Sequence, residues 1–360
     1  MTIRGADPKA VSRALATGDP PPRTRGFAGQ LPDGRLVRDA LGRVPVYTEA
    51  DDPTIWSFSP HELDAPDLLA AGSVRTPEGD RRVWELPAPE LIEDRRTAVA
   101  RARKGLTDAV ESVATDDLAV AFSGGVDSAV VAALYDRPAY VVGFPESHDV
   151  RAARSAARAM DLDLRVVELT VDTLEAVVPE VARAIDRTNA MDVEIALPLF
   201  VAAERASDDG FEHLAVGQGA DELFGGYAKV AHAADDSRLD ADAVAGARRE
   251  VIRTLPDQLP RDVLAIRAGG VQPVAPLLDD RVVRAALALP DELLVTARGE
   301  RKWALRLAAR EFVPDRVAFR EKKAIQYGSL VARELDRLAR EAGFKRRMGD
   351  HVTKYVRSRV

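Results

Sequence analysis

Residues 118–135 read LAVAFSGGVDSAVVAALY, and the fold is decided there. A short apolar run breaks into Ser123-Gly124-Gly125-Val126-Asp127-Ser128 and resumes as Ala, Val and Leu at helical spacing. The pattern predicts a buried strand, a tight glycine turn and the first turn of a helix. Such a turn aims backbone N–H groups and two hydroxyls at one spot, where the helix dipole also favours negative charge. Phosphate is the expected occupant. Gly-Gly with Asp and Ser is also ordinary turn chemistry, so the assignment rests on strand, turn and helix standing in the required order. No Gly-Lys-Ser/Thr follows, which excludes a Walker loop, and the spacing is not GxGxxG.

Outward from this stretch, apolar runs alternate with amphipathic ones. Ala139 to Phe144, Leu164 to Leu169 and Glu212 to Val216 read as strands. Val150 to Met160, Val171 to Ile185 and Ile195 to Ala206 read as helices. Alternation at this length means βαβ units and a parallel sheet. Ligands gather at the carboxyl ends of such strands, where Ser123 and Val142 fall. Upstream, Glu93 to Val113 is an Ala-rich charged helix, and Arg25 to Leu86 carries short strands between turns. Arg35 to Asp39, Leu41 to Tyr47 and Ile55 to Ser59 are the clearest of them, in a small and mostly β module behind a short N-terminal helix.

The last predicted strand runs into a second dense loop, Gly217-Gln218-Gly219-Ala220-Asp221-Glu222-Leu223-Phe224-Gly225-Gly226-Tyr227. Its glycines frame two adjacent carboxylates at the sheet edge that holds the first loop. Mg²⁺ is commonly held by one or two carboxylates plus phosphate oxygens, which makes Asp127 and Asp221 the candidate metal ligands. A solvated acidic turn is the bland alternative.

Composition sets the outer bounds. The 360 residues suffice for two domains, and 46% apolar with 30% charged is ordinary for a globular protein. Cysteine is absent, which removes disulfides, Cys-based zinc sites, persulfide transfer and thiol nucleophiles. A net charge of −7 argues against nucleic acid as a partner. No apolar run reaches membrane-span length and the first residues lack a signal-peptide core, so no membrane partner and a cytoplasmic location are expected. The five histidines show no metal-ligand spacing. The basic stretch Lys345 to Val360 is expected to be a solvated terminal helix.

SGGVDS resembles the pyrophosphate-binding PP-loop of ATP pyrophosphatases, and GQGADELFGGY is similar to the GEGADELFGGY of asparagine synthetases. Further matches keep family order. Asp149 falls at an acid after the second strand, Pro276-Leu277-Leu278-Asp279 resembles PFLD, Lys302 with Leu305-Arg306 resembles KxxLR, and Arg320 to Lys323 resembles an RxK segment. The resemblance covers roughly residues 95–340. VRDALGRVPVY, followed by WSFSPHEL, resembles the closing part of that family's glutaminase domain. That domain begins with a catalytic cysteine, and here Thr2 follows Met1.

What the resemblance implies is an α/β protein: a parallel-sheet PP-loop synthetase domain, adenine nucleotide α-hydrolase-like, with a helical C-terminal part. A small, mostly β domain precedes it. Expected boundaries are a cysteine-less glutaminase-like remnant over 1–92, the synthetase over 93–345 and a basic tail over 346–360. The family's chemistry is attack of a carboxylate on the α-phosphate of ATP, loss of pyrophosphate, and displacement of AMP by ammonia. By position, Ser123, Gly124, Gly125, Asp127, Ser128, Val142, Gly143 and Gly217 would hold ATP and pyrophosphate, and Asp127 and Asp221 would hold Mg²⁺. Lys322 falls at the catalytic lysine, Gln218 at a glutamate that manages the incoming ammonia's proton, and Glu222 and Arg267 on the substrate side.

Two departures matter. An amide cannot act as a general base, so with Gln218 in that place either another group takes the proton or the amine arrives differently. The family's aspartate-recognising Asp/Arg pair is missing from Val263 to Val274, and the Glu and Arg positions that follow it are Gln272 and Val274. The expected function is conversion of aspartate to asparagine without glutaminase activity. The alternatives are another small carboxylate or a nucleotide-binding pseudoenzyme; PP-loop tRNA modification is weaker, since sulfur transfer usually needs cysteine. A separate glutaminase or a second copy of the chain stays open as a partner.

Overall fold

The computed structural model describes residues 2–76, 78–113, 116–235, 243–320 and 329–360. In chain order the elements are β1 (Thr2–Arg4), α1 (Pro8–Thr17), β2 (Ala28–Gln30), β3 (Leu36–Arg38), β4 (Tyr47–Glu49), β5 (Trp56–Ser57), β6 (Pro66–Leu68), β7 (Ser73–Thr76) and β8 (Gly79–Arg82). Then follow α2 (Arg95–Glu111), β9 (Leu118–Ala121), α3 (Val126–Tyr135), β10 (Ala139–Gly143), α4 (His148–Met160), β11 (Leu164–Glu168), α5 (Val171–Ala184), α6 (Ala190–Asp208) and β12 (His213–Ala215). Next come α7 (Ala220–Leu223), α8 (Ala228–Asp235), α9 (Ala243–Ile252), α10 (Leu255–Ala268), β13 (Gln272–Val274), α11 (Asp280–Leu287), α12 (Trp303–Ala309), α13 (Asp315–Ala318), α14 (Val331–Glu341) and α15 (His351–Arg357). Two units divide the chain. The first holds Met1–Val113, Gln218–Pro260 and Ala275–Ala308; the second holds Ala114–Gly217, Arg261–Val274 and Ala309–Val360.

In the first unit an antiparallel sheet runs β1-β2-β3-β7-β8, beside a three-stranded sheet β5-β4-β6. Its strands are two to four residues long, too short for an alternating pattern, so the sequence predicts β3 and β5 but not β1, β2, β6, β7 or β8. Gly29 (φ +131°) is required where β1 meets β2, because a Cβ there would overlap the Thr2 carbonyl. Helix α1, capped by Asp7 and ended by Gly18 at φ +80°, lays Val11, Ala14 and Leu15 against Phe27 and Trp84. Those two rings meet edge to face at 5.1 Å. Helix α2 then packs on α11 at Gly105, where the Arg281 carbonyl oxygen would stand 3.2 Å from a Cβ.

The second unit is built on a five-stranded, all-parallel sheet in the order β11-β10-β9-β12-β13. Strand β9 is central and fully apolar, as a strand covered on both faces must be. Its neighbours are β10 on one side and β12 on the other, so the strand order reverses at β9, the place where open α/β sheets bind ligands. Helix α6 starts at Ala190, five residues before the predicted Ile195, because the Asn189 side chain caps it through the Asp192 N–H at 3.0 Å. Strand β13 escapes prediction because Pro273 lies in it, and proline is tolerated there because β13 is an edge strand. The expected C-terminal helix forms as α15, but Val352, Tyr355 and Val356 are buried, so one of its faces is packed rather than solvated. No helix among the described residues is long and apolar enough to cross a membrane.

Candidate active site

The first loop is built as its sequence requires. Strand β9 ends at Ala121 and the chain reaches Gly124 at φ +74°, with Gly125 as the N-cap of α3. A Cβ on Gly124 would lie 2.7 Å from the Ala152 carbonyl, so α4 backs the loop and only glycine fits. Ser128 Oγ accepts the Ser123 N–H at 3.2 Å, donates to the Gly125 carbonyl at 3.2 Å, and stands 3.4 Å from Ser123 Oγ. Among the described residues no side chain caps α3, and the positive end of its dipole at that turn favours an anion. Asp127 and Ser128 are both buried in the helix's first turn.

The second motif meets the first within this unit. Gly217, two residues beyond β12, packs against α3 so closely that a Cβ would stand 3.0 Å from Asp127 Cβ and Ser128 N. At the carboxyl end of β10, Val142 is buried, and the Gly143 carbonyl accepts the Leu169 N–H at 3.0 Å. The space a side chain on Gly143 would need is filled by Ser147 and Val150. Asp149 is buried in the first turn of α4, which Ser147 caps through Val150 N at 3.2 Å. Arg320 donates to the Ala152 carbonyl at 2.6 Å and to Ser155 Oγ at 2.9 Å, tying the chain ahead of residues 321–328 to α4. Lys322 and Lys323 lie outside the described residues.

The acidic loop belongs to the first unit. Gly219, at φ +89°, is the N-cap of α7 and rests on the Leu278 side chain. Gln218 before it is half-buried. Asp221 Oδ1 is 2.7 Å from Lys302 Nζ, with 43% of the aspartate side chain exposed and 8% of the lysine's. Gly226 leaves room for that pair, since a Cβ there would overlap both side chains, and its carbonyl accepts Arg301 Nη1 at 2.6 Å. Tyr227 OH donates to Glu222 Oε1 at 2.7 Å. Burial pushes the Glu222 carboxyl above its usual range, the tyrosine partly opposing it.

The structure therefore gathers Ser123, Gly124, Gly125, Asp127, Ser128 and Gly217 at the switch point of one sheet. Asp127 and Asp221, the two carboxylates predicted for Mg²⁺, belong to different units. Among the described residues no group of three or more potential ligands forms a cage. Arg267 ends α10, five residues before β13, whose first residue Gln272 pairs with His213 at the amino end of β12. That is the end of the sheet opposite the Ser123 loop. Glu222 is seated inside its own loop as the acceptor of Tyr227. Lys302 is the residue that motif matching underrated: the KxxLR pattern marked its position, but nothing in the spacing showed that it reaches Asp221.

The Asparagine synthase family model matches residues 101–267 and 245–354. A protein of Methanocaldococcus jannaschii named "putative asparagine synthetase 1, glutamine-hydrolysing" is 31% identical over 270 residues, covering 64% of this chain and 49% of that protein. Asparagine synthetase B, glutamine-hydrolysing, of Escherichia coli K12 is 23% identical over 329 residues, covering 82% of this chain and 59% of its own length. The glutamine-hydrolysing asparagine synthetase of Asparagus officinalis is 24% identical, with 81% and 54% covered. The chain thus spans about half to three-fifths of the length of these relatives. With the Ser123 loop in place on a parallel sheet and the family model matched over most of the chain, the chain belongs to the asparagine synthase family.

Proposed function

We propose that the chain is an ATP-dependent, amide-forming ligase that adenylates a carboxylate, releases pyrophosphate and transfers the acyl group to ammonia. The observation that carries this reading is the uncapped N-terminus of α3, framed by the Ser123 and Ser128 hydroxyls and closed by Gly217. Transfer at phosphorus needs positioning and charge neutralisation more than covalent chemistry. The loop amides with Ser123 and Ser128 hold the departing pyrophosphate, and the carboxyl end of β10 at Val142 and Gly143 faces adenine. Lys322 adds positive charge at the reacting phosphate.

Mg²⁺, when bound, supplies positive charge to the triphosphate. Asp127 and Asp221 are each a carboxylate that would hold it, since Mg²⁺ commonly takes one or two carboxylates and keeps water and phosphate oxygens. Asp221 already accepts a cation, Lys302, which supports its suitability for one.

The proposed acid is aspartate and the nitrogen source is ammonia, free or delivered by a separate glutaminase. The 360 residues contain no thiol to attack glutamine. A different small carboxylate is the second reading, favoured because Gln272 and buried Val274 form β13 where the family pattern has Glu and Arg. The test is product analysis with Mg-ATP, aspartate and ammonium, glutamine or no nitrogen donor. Asparagine with ammonium alone supports the first reading; amide formed only with another acid supports the second. No amide with any acid rejects both.

A further inference from the structure

The N-terminal β module has no part in the chemistry above, yet one of its side chains reaches the support of the acidic loop. Arg43 follows the turn after β3 and is buried. Its Nε donates to Asp39 Oδ1 at 2.8 Å, and its Nη1 donates to the Leu278 carbonyl at 2.7 Å and Asp280 Oδ1 at 2.8 Å. Asp280 is held from the other side by Thr24, whose N–H and hydroxyl reach Oδ2 at 2.7 and 2.9 Å. Asp39 is fixed in turn by the N–H groups of Leu41 and Arg43, both at 3.0 Å.

Leu278 ends a single 3₁₀ turn, Pro276–Leu278, whose own hydrogen bonds run from Leu278 N to Ala275 O and from Asp279 N to Pro276 O. The Leu278 carbonyl is left over by that turn, and Arg43 takes it. Leu278 is buried, and its side chain lies directly beneath Gly219, so closely that no Cβ fits there. Gly219 begins α7, the one turn of helix that carries Asp221 and Glu222. An unbroken series of contacts thus leads from Arg43 through Leu278 and Gly219 to Asp221, all inside one unit.

We infer that Arg43 is a positioning residue for the acidic loop, so that the N-terminal module braces the carboxylate on the metal side. This inference rests on Asp221 being a cation ligand. The forked guanidinium is what the place demands, because three acceptors in different directions must be met at once. A lysine's single ammonium nitrogen cannot stand in for both the Nε and the Nη1 that reach them. Groups that hydrogen-bond a metal ligand hold its orientation and set the affinity for the metal; Arg43 acts on that orientation one layer further out, through Leu278 and Gly219.

The experiment is a titration of the full chain with Mn²⁺ in the presence of a non-hydrolysable ATP analogue, followed by electron paramagnetic resonance. Melting curves run in parallel, and nucleotide binding is measured without metal. Arg43→Lys should weaken Mn²⁺ binding about tenfold while metal-free nucleotide binding stays within about twofold. Leu278→Val shortens the side chain beneath Gly219 and leaves the Arg43 ion pairs in place; it should weaken Mn²⁺ binding in the same direction, which decides the matter if Arg43→Lys does not fold. Folded variants with unchanged Mn²⁺ affinity would show that Arg43 only stabilises the module and overturn the inference. Asp221→Asn is the separate control: unchanged Mn²⁺ affinity in that variant overturns Asp221 as a ligand, and the brace with it.

Discussion

Lys302 Nζ lies 2.7 Å from Asp221 Oδ1, so the carboxylate proposed for the metal already has a cation of the chain's own. The lysine is built for this place. Its backbone is left-handed at φ +58°, its side chain is buried, and its carbonyl accepts the Arg306 N–H at 2.9 Å in the first turn of α12. A non-glycine residue in that region is uncommon and has to be held there by its surroundings. A metal ion that takes Asp221 must compete with this lysine.

Removing the competitor should therefore favour the metal. Lys302→Met is expected to tighten Mn²⁺ binding to nucleotide-free protein about two- to fivefold, the range for losing a partly exposed ion pair. Calorimetric titration of both proteins checks it. Weaker Mn²⁺ binding in the variant would mean that Lys302 holds Asp221 in a ligand-ready position rather than competing for it.

Gly217 sets how closely β12 approaches α3. In Gly217→Ala the new Cβ stands 3.0 Å from Asp127 and Ser128 N, so the first turn of α3 has to move by a few tenths of an ångström. The expected result is a rise in the KM for ATP of about tenfold, because small misplacements at a reacting centre are costly. Steady-state kinetics at varied ATP reads it; an unchanged KM would show that this turn does not meet nucleotide.

Tyr227 holds the acidic loop from within. Tyr227→Phe leaves Glu222 Oε1, in a buried residue, without that donor, which should cost about 1–3 kcal/mol. Differential scanning calorimetry should show a lower midpoint for the variant, and an unaltered midpoint would contradict the pairing.

Glu194 on α6 provides a pH test. Burial pushes its carboxyl up to about 7 from the ordinary 4.5 of a glutamate. The folded state then binds more protons than the unfolded state between those values, so this group makes stability fall as pH rises through that window. Glu194→Gln should match the parent near pH 4 and exceed it increasingly up to pH 7, with the gain retained above. Denaturant midpoints across that range check the sign.

The parallel sheet was legible because β9, β10 and β12 are apolar runs separated by long amphipathic helices, and both glycine loops sit between strand and helix. The small β module was less so. Strands such as Ala28–Gln30 and Pro66–Leu68 are three residues each, and three residues carry no periodicity. Strand β13 was hidden by Pro273. In the site, Ser123, Asp127 and Gly217 could be read from motif spacing. The Lys302–Asp221 ion pair and the Arg43–Leu278 contact could not, since each joins residues 81 and 235 positions apart through tertiary packing alone.

The most direct test of adenylation is exchange of labelled pyrophosphate into ATP by the full chain with Mg²⁺ and aspartate, in the absence of any nitrogen donor. The proposal predicts exchange that requires the carboxylate, falls at least about a hundredfold in Asp127→Asn and is reproduced by another small acid if that is the substrate. Release of ADP and inorganic phosphate instead, or no exchange with aspartate or any other small carboxylate, would contradict it.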